Sequence, residues 1–276
     1  MDALLLLAAA VAPVALMLHF VYIRDKYDRE PLRRVLIVFF IGCLSVIPAA
    51  IYESLFLVNP EWGLWGIAFT TFCVVALSEE VVKYWTLRFA AVTHPSFNEV
   101  YDGIIYAVAA SLGFATVENI LYVFFSGSEG WFVAVLRALL SVPGHALWGV
   151  MMGYYVGQAR FTADPRRKRM LVWTGIGTAI FWHGLYDYFA FGIEVVTDQV
   201  ALLFLLGLVG VVAANWVIGV VLIRRAQAQS YFKRPNPLLN PAAALNPAVR
   251  YCHSCGKPQP RGNRSCYACG YEFPMK

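Results

Sequence analysis

Residues 63–91 read GLWGIAFTTFCVVALSEEVVKYWTLRFAA. The stretch is long and apolar enough to cross a bilayer, which takes about 20 residues. Its inner half nevertheless carries Glu79, Glu80 and Lys83. A charge at the centre of a spanning helix costs at least about 2.5 kcal/mol, so an ionisable group at that depth marks a functional site by default. Glu79 and Lys83 are four residues apart and would meet on one helix face as a salt bridge. That pairing leaves Glu80 over.

The rest of the chain is of the same kind. Of its 276 residues 59% are hydrophobic and only 14% charged, and the mean hydropathy is +0.60. A soluble domain carries about 25% charged residues, so this is a polytopic membrane protein. The net charge of +5 does not point to nucleic acid, because the basic residues fall mostly in short loops, where they set topology.

Seven apolar runs predict seven spanning helices: Ala3–Ile23, Val35–Val58, Gly63–Ala91, Tyr101–Phe125, Trp131–Gly157, Leu171–Phe191 and Ala201–Ile223. Barrel strands would be about 10 residues of alternating hydrophobicity, a pattern absent here. The expected fold is therefore an all-α bundle. The loops sort by sign. Arg24 to Arg34, Arg160 with Arg166, Arg167, Lys168 and Arg169, and Arg224 with Arg225 belong to one side. Glu61, Glu129, Glu194 and Asp198 belong to the other. The positive-inside rule makes the basic side cytoplasmic, with the N-terminus outside and the C-terminus inside. The first run has no basic residues before it, unlike a cleaved signal peptide. Gly149 and Gly153, four apart, mark a face where another helix can approach closely.

The membrane core is expected to end at residue 225. Residues 226–250, with Pro235, Pro237, Pro241 and Pro247, read as a linker. Residues 251–273 hold Cys252-His253-Ser254-Cys255-Gly256 and Cys266-Tyr267-Ala268-Cys269-Gly270. Two CxxC pairs separated by ten residues suit a structural zinc held by Cys252, Cys255, Cys266 and Cys269. So short a segment has no core of its own and would take its stability from the metal. Disulfides are the alternative pairing, disfavoured in a reducing cytoplasm. The tail resembles a zinc ribbon, which implies binding of a cytoplasmic partner rather than chemistry.

At membrane depth the ionisable residues are Glu79, Glu80, Lys83, Glu118, Arg137, His145, His183 and Asp187. Glu53, Arg88, Asp102 and His19 lie nearer span ends. With a rise of 1.5 Å per residue, Glu79, Glu118, His145 and His183 come to depths of about 18–26 Å from their points of entry, so they can converge. His145, His183 and Glu118 could bind zinc and leave an open position, with Glu79 or Glu80 taking a proton from the bound water. His183 and Asp187 are four apart, which lets the carboxylate orient the imidazole. Taken singly, each histidine could equally form an interhelical hydrogen bond.

Glu79-Glu80-Val81-Val82-Lys83 (EExxK), Gly113-Phe114 with Glu118-Asn119 (GFxxxEN), Pro143-Gly144-His145, and His183 with Asp187 (HxxxD) together resemble the PrsW family of intramembrane proteases, relatives of the CAAX prenyl endopeptidases. The likeness spans residues 1–225. It implies hydrolysis of a peptide bond in a membrane-anchored protein, such as an anti-sigma factor cleaved in stress signalling, at a bacterial-type plasma membrane. It also implies that Glu79 is the general base, Glu80 its assistant or the anchor of Lys83, and Asp187 the partner of His183. His145 and His183 would be metal ligands or, in a metal-free glutamate protease, oxyanion stabilisers. Glu118 departs from the histidine found in the prenyl-protease relatives. Two other functions use the same residues: a proton-coupled transporter with a carboxylate relay, and a non-catalytic receptor whose zinc ribbon binds a partner. The absence of internal repeats counts against the transporter.

Overall fold

The computed structural model describes residues 3–56, 63–230, 232, 249–252, 258–260, 262–266 and 271–273. The membrane part is a helical bundle. Its helices are α1 (Ala3–Ile23), α2 (Leu32–Leu44), α3 (Val46–Leu55), α4 (Gly63–Phe69), α5 (Ala76–Ala90), α6 (Val100–Phe125), α7 (Gly130–Leu139), α8 (Ser141–Arg160), α9 (Pro165–Gly192) and α10 (Asp198–Ala228). Among the described residues, six segments are long and apolar enough to cross a membrane: α1, Leu32–Leu55, Gly63–Ala90, α6, Gly127–Arg160 and α10. The seventh expected span is α9. Its 28 residues are ample in length, but basic residues at its start and His183 and Asp187 further along lower its apolar character. Val58 and Glu61 lie outside the described residues.

Three of the seven runs are interrupted. Pro48 has no N–H to give the carbonyl of Leu44, and α2 ends at Leu44. Ser45 bridges the break, its N–H shared between Ile41 and Gly42 and its hydroxyl donated to the Gly42 carbonyl at 2.7 Å. Pro143 stands in the same relation to Leu139, the last residue of α7. A proline in the first turn of a helix costs nothing there but ends what precedes it. The break thus falls at Leu140, upstream of the Pro143-Gly144 pair. The third interruption is a π-helical turn, Thr70–Val75, between α4 and α5. Such turns shift the facing of the residues that follow, and here Glu79 and Glu80 follow.

Helix α6 is the axis of the bundle, buried along most of its length between α2 and α8. It begins with a capping box in which Glu99 and Asp102 each satisfy the other's end, the Glu99 N–H donating to Asp102 Oδ2 at 2.7 Å. Two glycine contacts bring its neighbours to backbone distance. A Cβ at Gly113 would strike the carbonyl oxygen of Phe39, and one at Gly153 that of Gly103. The close face expected at Gly149 and Gly153 is the α6–α8 contact.

The basic loops meet at one end of the bundle. Gln227 donates to the carbonyl of Arg24 at 2.6 Å, Asn98 to Asp28 at 2.9 Å and Gln158 to Gln229 at 2.6 Å. In the tail, Val249–Tyr251 (β1) pairs antiparallel with Pro258–Pro260 (β2), and Ser265 bridges to Glu272. These pairings bracket the two CxxC segments. Cys252 and Cys266 are buried together with Phe273. Cys255 and Cys269 lie outside the described residues.

Candidate active site

The site is assembled from α5, α6, α7, α8 and α9. Its centre is Lys83, whose side chain is 1% exposed. Its Nζ lies 2.8 Å from Glu79 Oε2, 2.8 Å from Glu80 Oε1 and 3.1 Å from His145 Nδ1, and sits 4.3 Å from the centre of the Phe114 ring. An ammonium has three donors and no acceptor, so all three are used and His145 Nδ1 must accept. The salt bridge expected between Glu79 and Lys83 is present, and Glu80, the residue it left over, is held by the same ammonium.

On the far side of His145, Nε2 is 2.9 Å from Glu118 Oε2, and Arg137 Nη2 is 3.1 Å from that oxygen. Neither contact has hydrogen-bond alignment, so Glu118 Oε2 is a buried acceptor without a bonded donor. Arg137 is steered by Asn119, whose Oδ1 accepts from its Nε while its Nδ2 donates to the Ala10 carbonyl at 3.0 Å. His183 is gripped at both nitrogens, Nδ1 at 2.9 Å from Glu80 Oε1 and Nε2 at 3.2 Å from Asp187 Oδ2. The Trp148 ring stacks on it at 4.0 Å and 12°.

All six residues singled out from the sequence, Glu79, Glu80, Glu118, His145, His183 and Asp187, therefore meet in one place. They do not meet as one ligand set. Among the described residues, two groups have ligand atoms mutually within 4.8 Å: Glu79, Glu118 and His145, and Glu79, Glu80 and His183. The set Glu118, His145 and His183 is not among them, because both nitrogens of His183 are turned to carboxylates. A cavity of about 310 Å³ opens over the site, lined by Glu79, Glu118, His145, His183 and Asp187, with Arg137 and Tyr186 on its wall. Glu80 does not line it and is fully buried. Trp148 is part of the site and was not singled out, and Phe114 and Asn119 were read only as members of the GFxxxEN motif, since an aromatic or an amide in a span carries no role until its neighbours are known.

The donor set suits a metal. Four carboxylates face two permanent cations, Lys83 and Arg137, and buried negative charge in excess demands a proton or a cation. Glu79, Glu118 and His145 offer two carboxylates and an imidazole, ligand types of catalytic zinc; a metal on one ring nitrogen leaves the proton on the other, so Lys83 would then keep Glu79 and Glu80 and give up His145. Comparison with known proteins agrees. Residues 30–222 match the family model described as PrsW family intramembrane metalloprotease. The chain belongs to the PrsW family. Its relatives include Protease PrsW of Geobacillus kaustophilus, 40% identical over 183 residues that cover 66% of this chain and 78% of the relative. Protease PrsW of Bacillus subtilis is also 40% identical over 183 residues, 66% of this chain and 81% of the relative. That of Oceanobacillus iheyensis is 33% identical over 214 residues, 76% and 96% of the two chains. No solved structure matches the chain. As a PrsW protein it is an integral membrane protease acting on a membrane-protein substrate, and every residue of the site falls within the matched segment. The cysteine-bearing tail falls outside it.

Proposed function

We propose that this PrsW protease hydrolyses a peptide bond of a membrane-anchored protein, of the anti-sigma-factor type, at the cavity beneath α7, with Glu79 as general base. The observation that carries this assignment is that Glu79 lines the cavity whereas its neighbour Glu80 does not. Glu80 is committed to Lys83 and His183 and holds both in place.

Glu118 and His145 are the residues that would hold a zinc ion, with Glu79 in the same cluster within 4.8 Å. A zinc held there would supply a water of lowered pKa and a Lewis acid for the scissile carbonyl. Glu79 receives the proton of the attacking water and delivers it to the leaving amine. Lys83 keeps the carboxylate oriented and offsets its charge. His183, stacked on Trp148 with both nitrogens on carboxylates, would release Asp187 and turn its Nε2–H to the carbonyl oxygen as charge develops there. Arg137 holds Glu118 from the mouth of the cavity. Serving as a third metal ligand would cost His183 its bond to Asp187 and its Nε2 proton as well, so it is assigned to the carbonyl instead.

The basic end of the bundle is assigned to the cytoplasm by the positive-inside rule. That puts the N-terminus outside and the tail inside, joined to the core by a linker. The burial of Cys252 and Cys266 together supports a structural zinc on Cys252, Cys255, Cys266 and Cys269, in a module that binds a cytoplasmic partner.

The experiment is cleavage of a single-pass reporter by Glu79→Gln and Glu80→Gln enzymes reconstituted in lipid. Loss of a general base lowers the rate by about 10²–10⁴. Glu79→Gln is expected to fall by that factor with its melting temperature kept. Full activity in Glu79→Gln would remove Glu79 from the mechanism.

A further inference from the structure

A second and larger cavity, of about 630 Å³, lies between α5, α8 and α9 at the end of the bundle that carries the basic loops. It is separate from the site above and shares no lining residue with it. Each of the three helices contributes a stripe with the same order. On α5 the stripe runs Val81, Trp85, Arg88; on α8 it runs Val156, Arg160; on α9 it runs Ile176, Trp173, Arg169. Every stripe is apolar toward the middle of the bundle and ends in a cation toward the loops. Seven residues separate Val81 from Arg88 and Ile176 from Arg169, about 10 Å along each helix.

Lys168 adds a fourth cation to the same rim. Among the described residues, none of Arg88, Arg160, Lys168 and Arg169 has a carboxylate within ion-pair distance. Arg160 Nε is moreover buried with no hydrogen-bond partner. A buried guanidinium N–H without an acceptor is costly, and here it lies beside three further positive charges. The two tryptophans flank the cavity and are open to the outside, Trp85 48% and Trp173 69% exposed. Indole rings at the polar boundary of a membrane and Lys/Arg on its rim are the surroundings of a lipid headgroup.

We propose that this cavity binds an anionic phospholipid: the phosphate is held by Arg160 with Arg88, Lys168 and Arg169, and an acyl chain lies between Trp85 and Trp173 against Val81, Val156 and Ile176. A zwitterionic lipid matches the apolar part but brings its own cation to a rim that already has four. The site is independent of how the catalytic residues divide their roles. It shares α5 with them, with Glu79, Glu80 and Lys83 facing one way and Val81, Trp85 and Arg88 the other.

The test is tryptophan fluorescence of the full-length protein in phosphatidylcholine vesicles, quenched by brominated phosphatidylglycerol or brominated phosphatidylcholine at equal mole fraction. The expected result is stronger quenching by the anionic lipid, with the excess abolished in the Trp85→Phe, Trp173→Phe double variant. One cation near a membrane surface is worth about a fivefold change in anionic-lipid preference. Arg160→Gln and Lys168→Gln should each lower the preference by that factor. Arg167→Gln, on the same loop face but not lining the cavity, should leave it unchanged. Lys168 is exposed, so its variant keeps the test valid if Arg160→Gln does not fold. Equal quenching by the two lipids overturns the proposal, as does an equal effect of Arg167→Gln. Loss of reporter cleavage in Lys168→Gln with no lipid preference in the wild type also overturns it, and gives the cations to an acidic segment of the protein substrate.

Discussion

Replacing Lys83 by methionine isolates the electrostatic centre of the site. The substitution keeps the length and apolar stem of the side chain and removes only the ammonium. Three contacts go with it, to Glu79, Glu80 and His145. Both carboxylates stay buried, with relative exposures of 5% and 0% for their side chains. Removing one partner of a buried ion pair costs about 3–5 kcal/mol, because the other charge is left uncompensated. At about 2–4 °C per kcal/mol for a chain of this size, the melting temperature falls by roughly 6–20 °C. The measurement is thermal unfolding in detergent followed by tryptophan fluorescence, on wild type, Lys83→Met, Glu80→Gln and the double variant. Glu80→Gln removes one of the stranded charges, so the double variant should be more stable than the sum of the single losses, by about 0.5–3 kcal/mol of coupling. A Lys83→Met protein melting within about 2 °C of wild type, or strict additivity in the cycle, would refute the view that this ammonium neutralises the pair.

Metal content of the full-length protein should fall by about one equivalent per chain in His145→Ala, as a catalytic site with a missing ligand loses its ion; an unchanged content takes His145 out of the ligand set. Gly153→Val would drive a side chain into the Gly103 carbonyl and to within 2.8 Å of the Ala107 Cβ, which costs about 1–3 kcal/mol or more and reads out as a lower melting temperature. At the loop end, burial together with the nearby Asp25 carboxylate pushes Glu30 up to about 7, and burial pushes Glu99 up to about 7 and Asp25 up to about 6. Folded carboxyls with raised pKa values hold protons that the unfolded chain releases, so their stabilising effect is full below the ordinary carboxylate range and lost as pH rises through about 6–7. The melting temperature should therefore drop between about pH 4 and pH 7, and Glu30→Gln, whose amide oxygen can still accept from the Tyr106 hydroxyl, should flatten that slope.

Relatives of this chain differ from it in more than half their positions, yet much of its plan can be read without them. Charges inside apolar runs are rare because each is expensive, so the few present stand out. Glu79, Glu80, Glu118, His145, His183 and Asp187 were found that way, and all six converge. The residues between them were not legible in the same way. Phe114 under Lys83, Trp148 on His183 and Asn119 behind Arg137 are ordinary membrane residue types, and only their neighbours reveal what they do. Asp25, Glu30, Glu99 and Asp102 were also passed over, since carboxylates near span ends are unremarkable until the loops are seen to bury them against one another.

Composition placed the chain in a bilayer, where only helices and closed barrels satisfy the backbone, and the length of the apolar runs, without alternation, established helices. The signs of the loops established which ends lie together. Pro48 and Pro143 account for two of the three interruptions only once the helices are seen, because Pro13 lies inside an unbroken α1 and a proline alone does not say where a span breaks. Tertiary structure decided the rest. Helix identity does not say how each helix is rotated about its own axis, and a site is defined by that rotation. The π-helical turn at Thr70–Val75 and the break at Leu140 turn α5 and α8 so that Glu79 opens on the cavity and Glu80 does not. The same rotations pair His145 with Glu118 and His183 with Glu80. They also bring three helix stripes together as one cationic cavity, whose parts lie nearly a hundred residues apart in the chain.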